Sequence, residues 1–305
     1  MSSVRRVTVI VNPISGHGPQ RRARQARATL AAEWMEASGL VGDVRVTEGP
    51  GHAQALAAEA ASGGAAVVVA WGGDGTVNEV GAALVHGSTA LAIVPGGSGN
   101  GLARELDIPS DPWAALQVAC DGVERVIDAG EIDGRLFFNV AGVGVDARIA
   151  ARFAAGGGGR RGLRRYIGAT ASELASFVPE GIRIVVGDAT LAGRPMIAAF
   201  ANSRQYGNGA LIAPAARLDD GRLDLVLIEH RSLIASVWAL PRLFNGSIAE
   251  ASGVRTCTLT EAEVRAERPI VYHADGEPHL GGVTVRVRAM PKALRVKTPG
   301  YSAKR

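Results

Sequence analysis

Three short runs constrain the fold more than anything else in this chain: "RRVTVIV", "AAVVVAW" and "ALAIV" contain unbroken apolar stretches. A strand with one wet face alternates apolar and polar residues, so an unbroken apolar strand is covered on both faces. Helix-like stretches alternate with these runs: Pro19–Ser38, rich in Arg and Ala, then His52–Ser62, Thr76–Val85 and the short Gly101–Leu106, with "DVRVT" as a further strand. This alternation predicts a parallel sheet with helices on both sides over roughly the first 110 residues. In such sheets ligands bind beyond the carboxyl ends of the strands. Three turns fall at those ends and are polar or glycine-rich: "NPISGHG", "WGGDGT" and "PGGSGN". Three at equivalent positions make a site.

After Ile127 the texture changes. "GRLFFNVAG", "GIRIVV", "PMIAAFAN", "RLDLVLIEH", "VRTCTL", "RPIVYHAD" and "VTVRVRA" are short β-rich runs with turn signals between them. They predict a mostly antiparallel domain, sandwich or barrel-like. Its clear helices are expected at Arg161–Phe177, after the loop "AAGGGGR", and at Leu233–Leu243. The expected architecture is an α/β N-terminal domain with a parallel sheet (residues 1–127), plus a mostly antiparallel β-sandwich C-terminal domain (residues 128–290). The tail 291–305, with "KALRVKTPG", is open to a return to the first domain.

Composition narrows the function classes. At 305 residues, 47% hydrophobic and 20% charged, the chain is an ordinary globular protein long enough for two cores. A formal charge of +4 suits an anionic partner without choosing one. Aromatics are only 5% and are not interleaved with the basic clusters, so no nucleic-acid partner is expected. No apolar run approaches the ~18 residues of a membrane span, and the first run is too short for a signal peptide, which predicts a cytoplasmic protein. Cys120 and Cys257 have no metal-like spacing and are expected as reduced, buried thiols.

"GGDGTVNE" is the strongest motif. One glycine would satisfy a tight strand-to-helix connection. Gly72, Gly73 and Gly75 with an internal Asp74, then Thr76, Asn78 and Glu79, point instead to phosphate groups approaching bare backbone. No Walker lysine follows, so the phosphate charge falls to backbone N–H groups, hydroxyls, arginine and metal. "NPISGHG" adds Ser15 before a helix with Arg21, Arg22 and Arg24, most of which read as a solvated face; "PGGSGN" adds Ser98 and Asn100. In "NVAGVGVDA", Gly142, Gly144 and Ala147 fit a dinucleotide fingerprint, but no second parallel strand ending in an acid follows, and that reading is rejected.

Near the end, "YHADGEPHL" places His273, Asp275, Glu277 and His279 at alternate positions. Gly276 and Pro278 spoil a regular metal-binding strand face, so a strand running into a loop with two carboxylates is expected. Those acids suit a general base and a metal-handling acid, or no more than a polar turn. "LDDGRLDLVLIEH" is an acidic turn in which Asp219 or Asp220 could hold a hard cation.

Together "VNPISGHG", "GGDGTVNEV", "PGGSGNGLARELDIP", "NVAGVGVDARIA", "YGNGALIAPAARLDDGRLDLVLI" and "ADGEP" resemble, in order, the soluble bacterial lipid kinase family related to diacylglycerol and sphingosine kinases. The resemblance implies an ATP-dependent kinase acting on a lipid hydroxyl, with ATP between the two domains. It assigns ATP binding to Asn12, Pro13, Ile14, Ser15, Gly16, Thr47, Gly72, Gly73, Asp74, Gly75, Thr76, Val77, Asn78 and Ser98. It assigns Glu277 as general base, Asp275 as the essential acid of the same motif, and Asp220, with the carbonyls of Arg217 and Arg222, to a structural Mg²⁺. Phosphoryl transfer gives Asp74 the task of organising the metal–nucleotide complex, and which of Asp74, Asp275 and Glu277 takes the proton stays open. Many bacterial diacylglycerol kinases carry threonine at the place of Ser98 and an acid at that of Gly101, so the lipid itself stays open toward sphingosine and ceramide. Expected partners are ATP, a lipid and an anionic membrane surface met through Arg160, Arg161, Arg164 and Arg165, with a homodimer as an open alternative. An NAD kinase and a non-catalytic lipid- or nucleotide-binding protein are the competing readings.

Overall fold

The computed structural model describes residues 6–14, 20–155, 177–229 and 241–300. Ser15, Gly16 and the arginines at 160, 161, 164 and 165 lie outside them, as do the expected helices at 161–177 and 233–243 for all but a few terminal residues. The chain divides into two compact units, Met1–Ile127 with Lys292–Arg305, and Asp128–Pro291.

The first unit alternates strand and helix: β1 (Arg6–Val11), α1 (Gln20–Ala37), β2 (Val41–Val46), α2 (His52–Ser62), β3 (Val67–Gly72), α3 (Asp74–Leu84), β4 (Ala90–Pro95), α4 (Gly101–Glu105) and α5 (Pro112–Asp121). Its sheet runs β2-β1-β3-β4, all parallel. The last strand of the chain, β18 (Thr284–Thr298), joins it beside β4, with Val296 opposite Leu91. β3 is buried along its whole length, as an unbroken apolar strand should be. The chain moves from β1 to β2 on one side and to β3 on the other, so the switch point of the sheet lies between the turns that follow β1 and β3. α3 starts at Asp74, two residues before the expected Thr76, because Gly73 is extended (φ −91°, ψ −173°) and serves as the N-cap. α5 is started by Asp111, whose carboxylate accepts from Ala114 N, with Pro112 in the first turn.

The second unit holds the end of β5 (Val123–Ile132), then β6 (Arg135–Phe137), β7 (Val140–Gly144), α6 (Val145–Ala155), β8 (Ile182–Val186), β9 (Ala189–Gly193), β10 (Pro195–Ala201), β11 (Gln205–Gly207), β12 (Ala210–Leu211), β13 (Leu223–Glu229), β14 (Val254–Leu259), β15 (Glu261–Ala266), β16 (Val271–Ala274) and β17 (Glu277–Leu280). One antiparallel sheet is ordered β14-β13-β10-β7-β16-β17. Opposite it, β15 pairs antiparallel with β8 and with the first part of β18, and β8 pairs with β9. Phe137, Phe200, Leu225, Val264, Tyr272 and Val285 share one core between the sheets, which makes the unit a β-sandwich. β7 is antiparallel to both its neighbours, so the glycines of "NVAGVGVDA" do not sit in a dinucleotide-binding βαβ unit.

Two local expectations are corrected. Cys257 is exposed because β14 is an edge strand that turns most of its residues to solvent, and Cys120, near the end of α5, is half-buried. "YHADGEPHL" is a hairpin rather than a strand running into a loop: β16 pairs with β17 through the two-residue turn Asp275-Gly276. Both turn residues have positive φ (47° and 85°), the Asp-Gly geometry that matches strand twist in tight hairpins. Pro278 is accommodated because β17 lies at the edge of the sheet, where a missing N–H goes unnoticed.

Candidate functional site

At the carboxyl ends of β1, β3 and β4 the turns are tied to one another. Asn12 Nδ2 donates to Thr76 Oγ1 at 2.8 Å, and Asn12 Oδ1 accepts from Ile14 N at 2.9 Å. Gly96 N donates to Gly72 O at 2.7 Å. A side chain at Gly97 would stand 2.7 Å from Gly73 Cα, and one at Gly72 would stand 2.5 Å from the Thr76 side chain. Gly72 and Gly97 are therefore needed for close packing of the turns. Asn100 closes its own turn, accepting from Gly97 N and donating to Gly97 O, both at 2.9 Å, with φ 50°. The first N–H groups of α3 have no intrahelical acceptor, and the helix starts directly after the carboxyl end of β3.

Asp74 is the centre of that framework. Its Oδ2 accepts from Asn100 N at 2.9 Å and its Oδ1 from Gly101 N at 2.6 Å. Both carboxylate oxygens thus hold the third turn against the second, a role the sequence does not announce because the partners are 26 and 27 residues away. Glu79, one turn further along α3, accepts from Gly51 N and Ala53 N and so caps α2. Thr47 is buried, its N–H bonded to Val11 O. Arg27 donates to Asn12 O at 3.0 Å and lies 6.0 Å from the Trp71 ring centre; burial pulls its guanidinium below the usual arginine range. Pro13, Gly75, Val77 and Asn78 belong to these turns and to the first turns of α3, and Ser98 is exposed on the third.

In the second unit Asp275 is held in the same manner. Its carboxylate accepts from Phe138 N (2.8 Å), Asn139 N (2.9 Å) and Val140 N (3.1 Å), and its own N–H donates to Val140 O. The Asp-Gly turn is thereby fastened to the start of β7, and Glu277, the first residue of β17, is exposed beside it. His273, just before the turn, is buried and its Nδ1 accepts from Gly276 N at 3.3 Å. His279 packs against Tyr272 and is held below the usual histidine range by burial, then by the charge of Arg135. Among the described residues no three His, Cys, Asp or Glu side chains gather as a metal cage.

Arg217, Asp220 and Arg222 lie on the loop before β13, which buried Asp128 pins from both sides: Asp128 N donates to Leu218 O and Asp128 Oδ2 accepts from Gly221 N, each at 2.6 Å. Asp220 is exposed and accepts from Arg222 N at 3.0 Å, while the Arg217 side chain turns to Asp219. The Asp224 carboxyl is pushed up by burial and then by the charge of Asp220. An exposed carboxylate on a pinned loop that repels a second, half-buried acid suits a hard cation that keeps several waters.

The chain matches the diacylglycerol kinase catalytic domain over residues 6–132 and the YegS C-terminal NAD kinase beta sandwich-like domain over residues 139–298. It belongs to the diacylglycerol kinase family. A Pseudomonas aeruginosa protein named probable lipid kinase YegS-like is 34% identical over 94% of this chain and 93% of its own length. A Mycobacterium tuberculosis diacylglycerol kinase is 32% identical over 97% and 96% respectively. The crystal structure of a diacylglycerol kinase from Bacillus anthracis superposes with a TM-score of 0.73 at 18% identity, covering 98% of both chains, which shows the shared fold. As a member of this family the chain is an ATP-dependent lipid kinase. No helix among the described residues is long and apolar enough to cross a membrane.

Proposed function

We propose that the turns of the first unit bind the phosphates of ATP and that Glu277 takes the proton from a lipid hydroxyl, diacylglycerol-like or sphingoid. The observation that carries this assignment is the contrast among the three candidate acids. Both oxygens of Asp74 accept backbone N–H groups, and the Asp275 carboxylate accepts three, whereas Glu277 stands exposed next to that fixed turn. A base must be within hydrogen-bond reach of the hydroxyl it serves, and exposure on a rigid turn permits that approach. Asp74 and Asp275 then act by positioning: one keeps the nucleotide turns in register, the other keeps Glu277 in place.

Asn12, Pro13, Ile14, Ser15, Gly16, Thr47, Val77, Asn78 and Ser98 complete the proposed nucleotide site around the glycine turn. Mg²⁺, when bound with ATP, would neutralise the phosphate charge that backbone N–H groups and a helix N-terminus only partly offset. A second, structural Mg²⁺ is proposed at Asp220 with the carbonyls of Arg217 and Arg222. Asp220→Ala should then lower thermal stability in Mg²⁺ while ATP affinity holds; loss of ATP binding with unchanged stability would contradict this role. The arginines at 160, 161, 164 and 165 would favour anionic membranes, each adding about 1 kcal/mol near such a surface. Equal sedimentation with neutral and anionic vesicles at low salt would remove that contact.

The direct test of the activity is incubation with γ-labelled ATP, Mg²⁺ and separate vesicles carrying diacylglycerol, ceramide or sphingosine, with NAD as the competing acceptor. Label in one of the lipids is the expected result and names the substrate. Label in NAD alone, or in no acceptor, would overturn the reading.

A further inference from the structure

The second unit contains a buried polar chain that the proposed chemistry does not use. Tyr206 Oη donates to Asp146 Oδ2 at 2.7 Å, and His273 Nε2 lies 3.1 Å from the same oxygen. Asp146 Oδ1 accepts from Ala147 N at 2.8 Å, in the first turn of α6. The side chains of His273 and Asp146 are 7% and 8% exposed, so their polar atoms depend on each other rather than on water. The backbone makes room for the pair. A side chain at Gly142 would stand 2.6 Å from His273 Nε2 and collide with Asp146 Oδ2 outright, so β7 must be bare where they meet.

The other ring nitrogen faces the acid turn. His273 Nδ1 accepts from Gly276 N, the amide of the glycine that separates Asp275 from Glu277. An Nδ1 that accepts leaves the proton on Nε2, where Asp146 receives it, so the Asp146 partnership selects the tautomer that the turn requires. Were the tautomer reversed, an N–H on Nδ1 would face the Gly276 N–H and the turn would lose its inner support. Asp275 is anchored from one side by the amides of Phe138, Asn139 and Val140; the Gly276 amide is anchored from the other by this ring.

We infer that His273, oriented by Asp146 and Tyr206, is a positioning residue that sets the angle at which Glu277 leaves the Asp-Gly turn. The inference rests on the assignment of Glu277 as the base. It does not require His273 to touch ATP, lipid or a transferring proton.

Two substitutions separate the halves of the ring. In His273→Asn the side-chain oxygen can sit near the Nδ1 position and keep an acceptor for Gly276 N, while contact with Asp146 is lost. In His273→Gln the longer amide can keep a donor near Asp146 and gives up the acceptor at the turn. His273→Gln should therefore lose about tenfold in kcat, the worth of one ordinary hydrogen bond, with KM for ATP unchanged; His273→Asn should hold within about threefold of wild type. A role in packing alone would affect both variants alike. Hydrogen–deuterium exchange of the 271–281 segment in the full chain supplies a readout independent of turnover. His273→Gln should exchange faster there than wild type, and His273→Asn should not. Equal exchange and equal kcat in the two variants would overturn the inference. A wild-type chain that phosphorylates no lipid would sink the kinase reading instead, and the exchange comparison would still decide the geometry.

Discussion

The glycine turns of the first unit and the acid hairpin of the second solve one problem in two ways. In the first, backbone packs on backbone: Gly73 meets Gly97, Gly72 makes room for Thr76, and Asp74 fastens the third turn through the amides of Asn100 and Gly101. In the second, side chains do the fixing: Asp275 takes three amides of the 138–140 segment, and His273 supports the turn from a buried pair with Asp146. On the proposed assignment, the difference follows from what each must present. A phosphate cradle offers N–H groups, so anything bulky there is an obstacle. A base must offer one side chain at a defined angle, so the framework beneath it needs directional bonds. Both units use an aspartate as an internal anchor, and only Glu277 of the three candidate acids is exposed.

Removing the anchor of the first unit should have the largest effect. Asp74→Ala orphans two amides, at about 1–3 kcal/mol for each buried donor left unsatisfied, and should abolish lipid phosphorylation together with Mg²⁺-dependent ATP binding. Calorimetric titration with ATP checks this. Normal ATP affinity in Asp74→Ala would show that the turns hold without it. Next comes Gly97→Ala, whose methyl meets the Gly73 backbone. It should weaken ATP binding and lower stability by about 1–3 kcal/mol, as overpacking does. Gly49→Ala, with no atom within 4 Å of the added carbon, is its control. If the two behave alike, close contact between the turns does not matter.

The smallest effect lies away from both sites. Burial raises the Asp43 pKa, but hydrogen bonds from Arg45 and Thr8 and the charges of Arg45 and Arg6 outweigh it and hold the carboxyl below its usual range. A depressed carboxyl stabilises the fold above its unfolded value, and that contribution is lost as pH falls through the folded one. Asp43→Asn should cost only roughly a few tenths of a kcal/mol at pH 7, since the pair is partly exposed. The difference from wild type should shrink in acid. A gap in thermal midpoint that grows as pH falls would contradict the assignment.

The elements of the first unit are legible because local signals decide them. The unbroken apolar runs became β1, β3 and β4, and His52–Ser62 is helical from end to end. α3 begins at Asp74 rather than at the expected Thr76 because extended Gly73 lets the helix start there, a backbone detail no local residue pattern announces. The candidate residues were legible as types, their roles less so. That Asp74 belongs to Asn100, or Asp275 to Phe138, is set by tertiary contacts 26 and 137 residues apart. Asp146 and Tyr206 were missed altogether. A hint existed in Gly142, a glycine inside an apolar strand run four residues before an acid, which marks a close approach.

Glu277 is the point on which the comparison turns, and single-turnover phosphoryl transfer by Glu277→Gln, measured beside ATP binding, tests it most directly. Glutamine keeps the shape and removes the base. The rate should fall by about 10²–10⁴-fold, as for a missing general base, with the ATP dissociation constant and thermal midpoint unchanged. A near-wild-type rate would contradict the account and return the proton to Asp275 or Asp74.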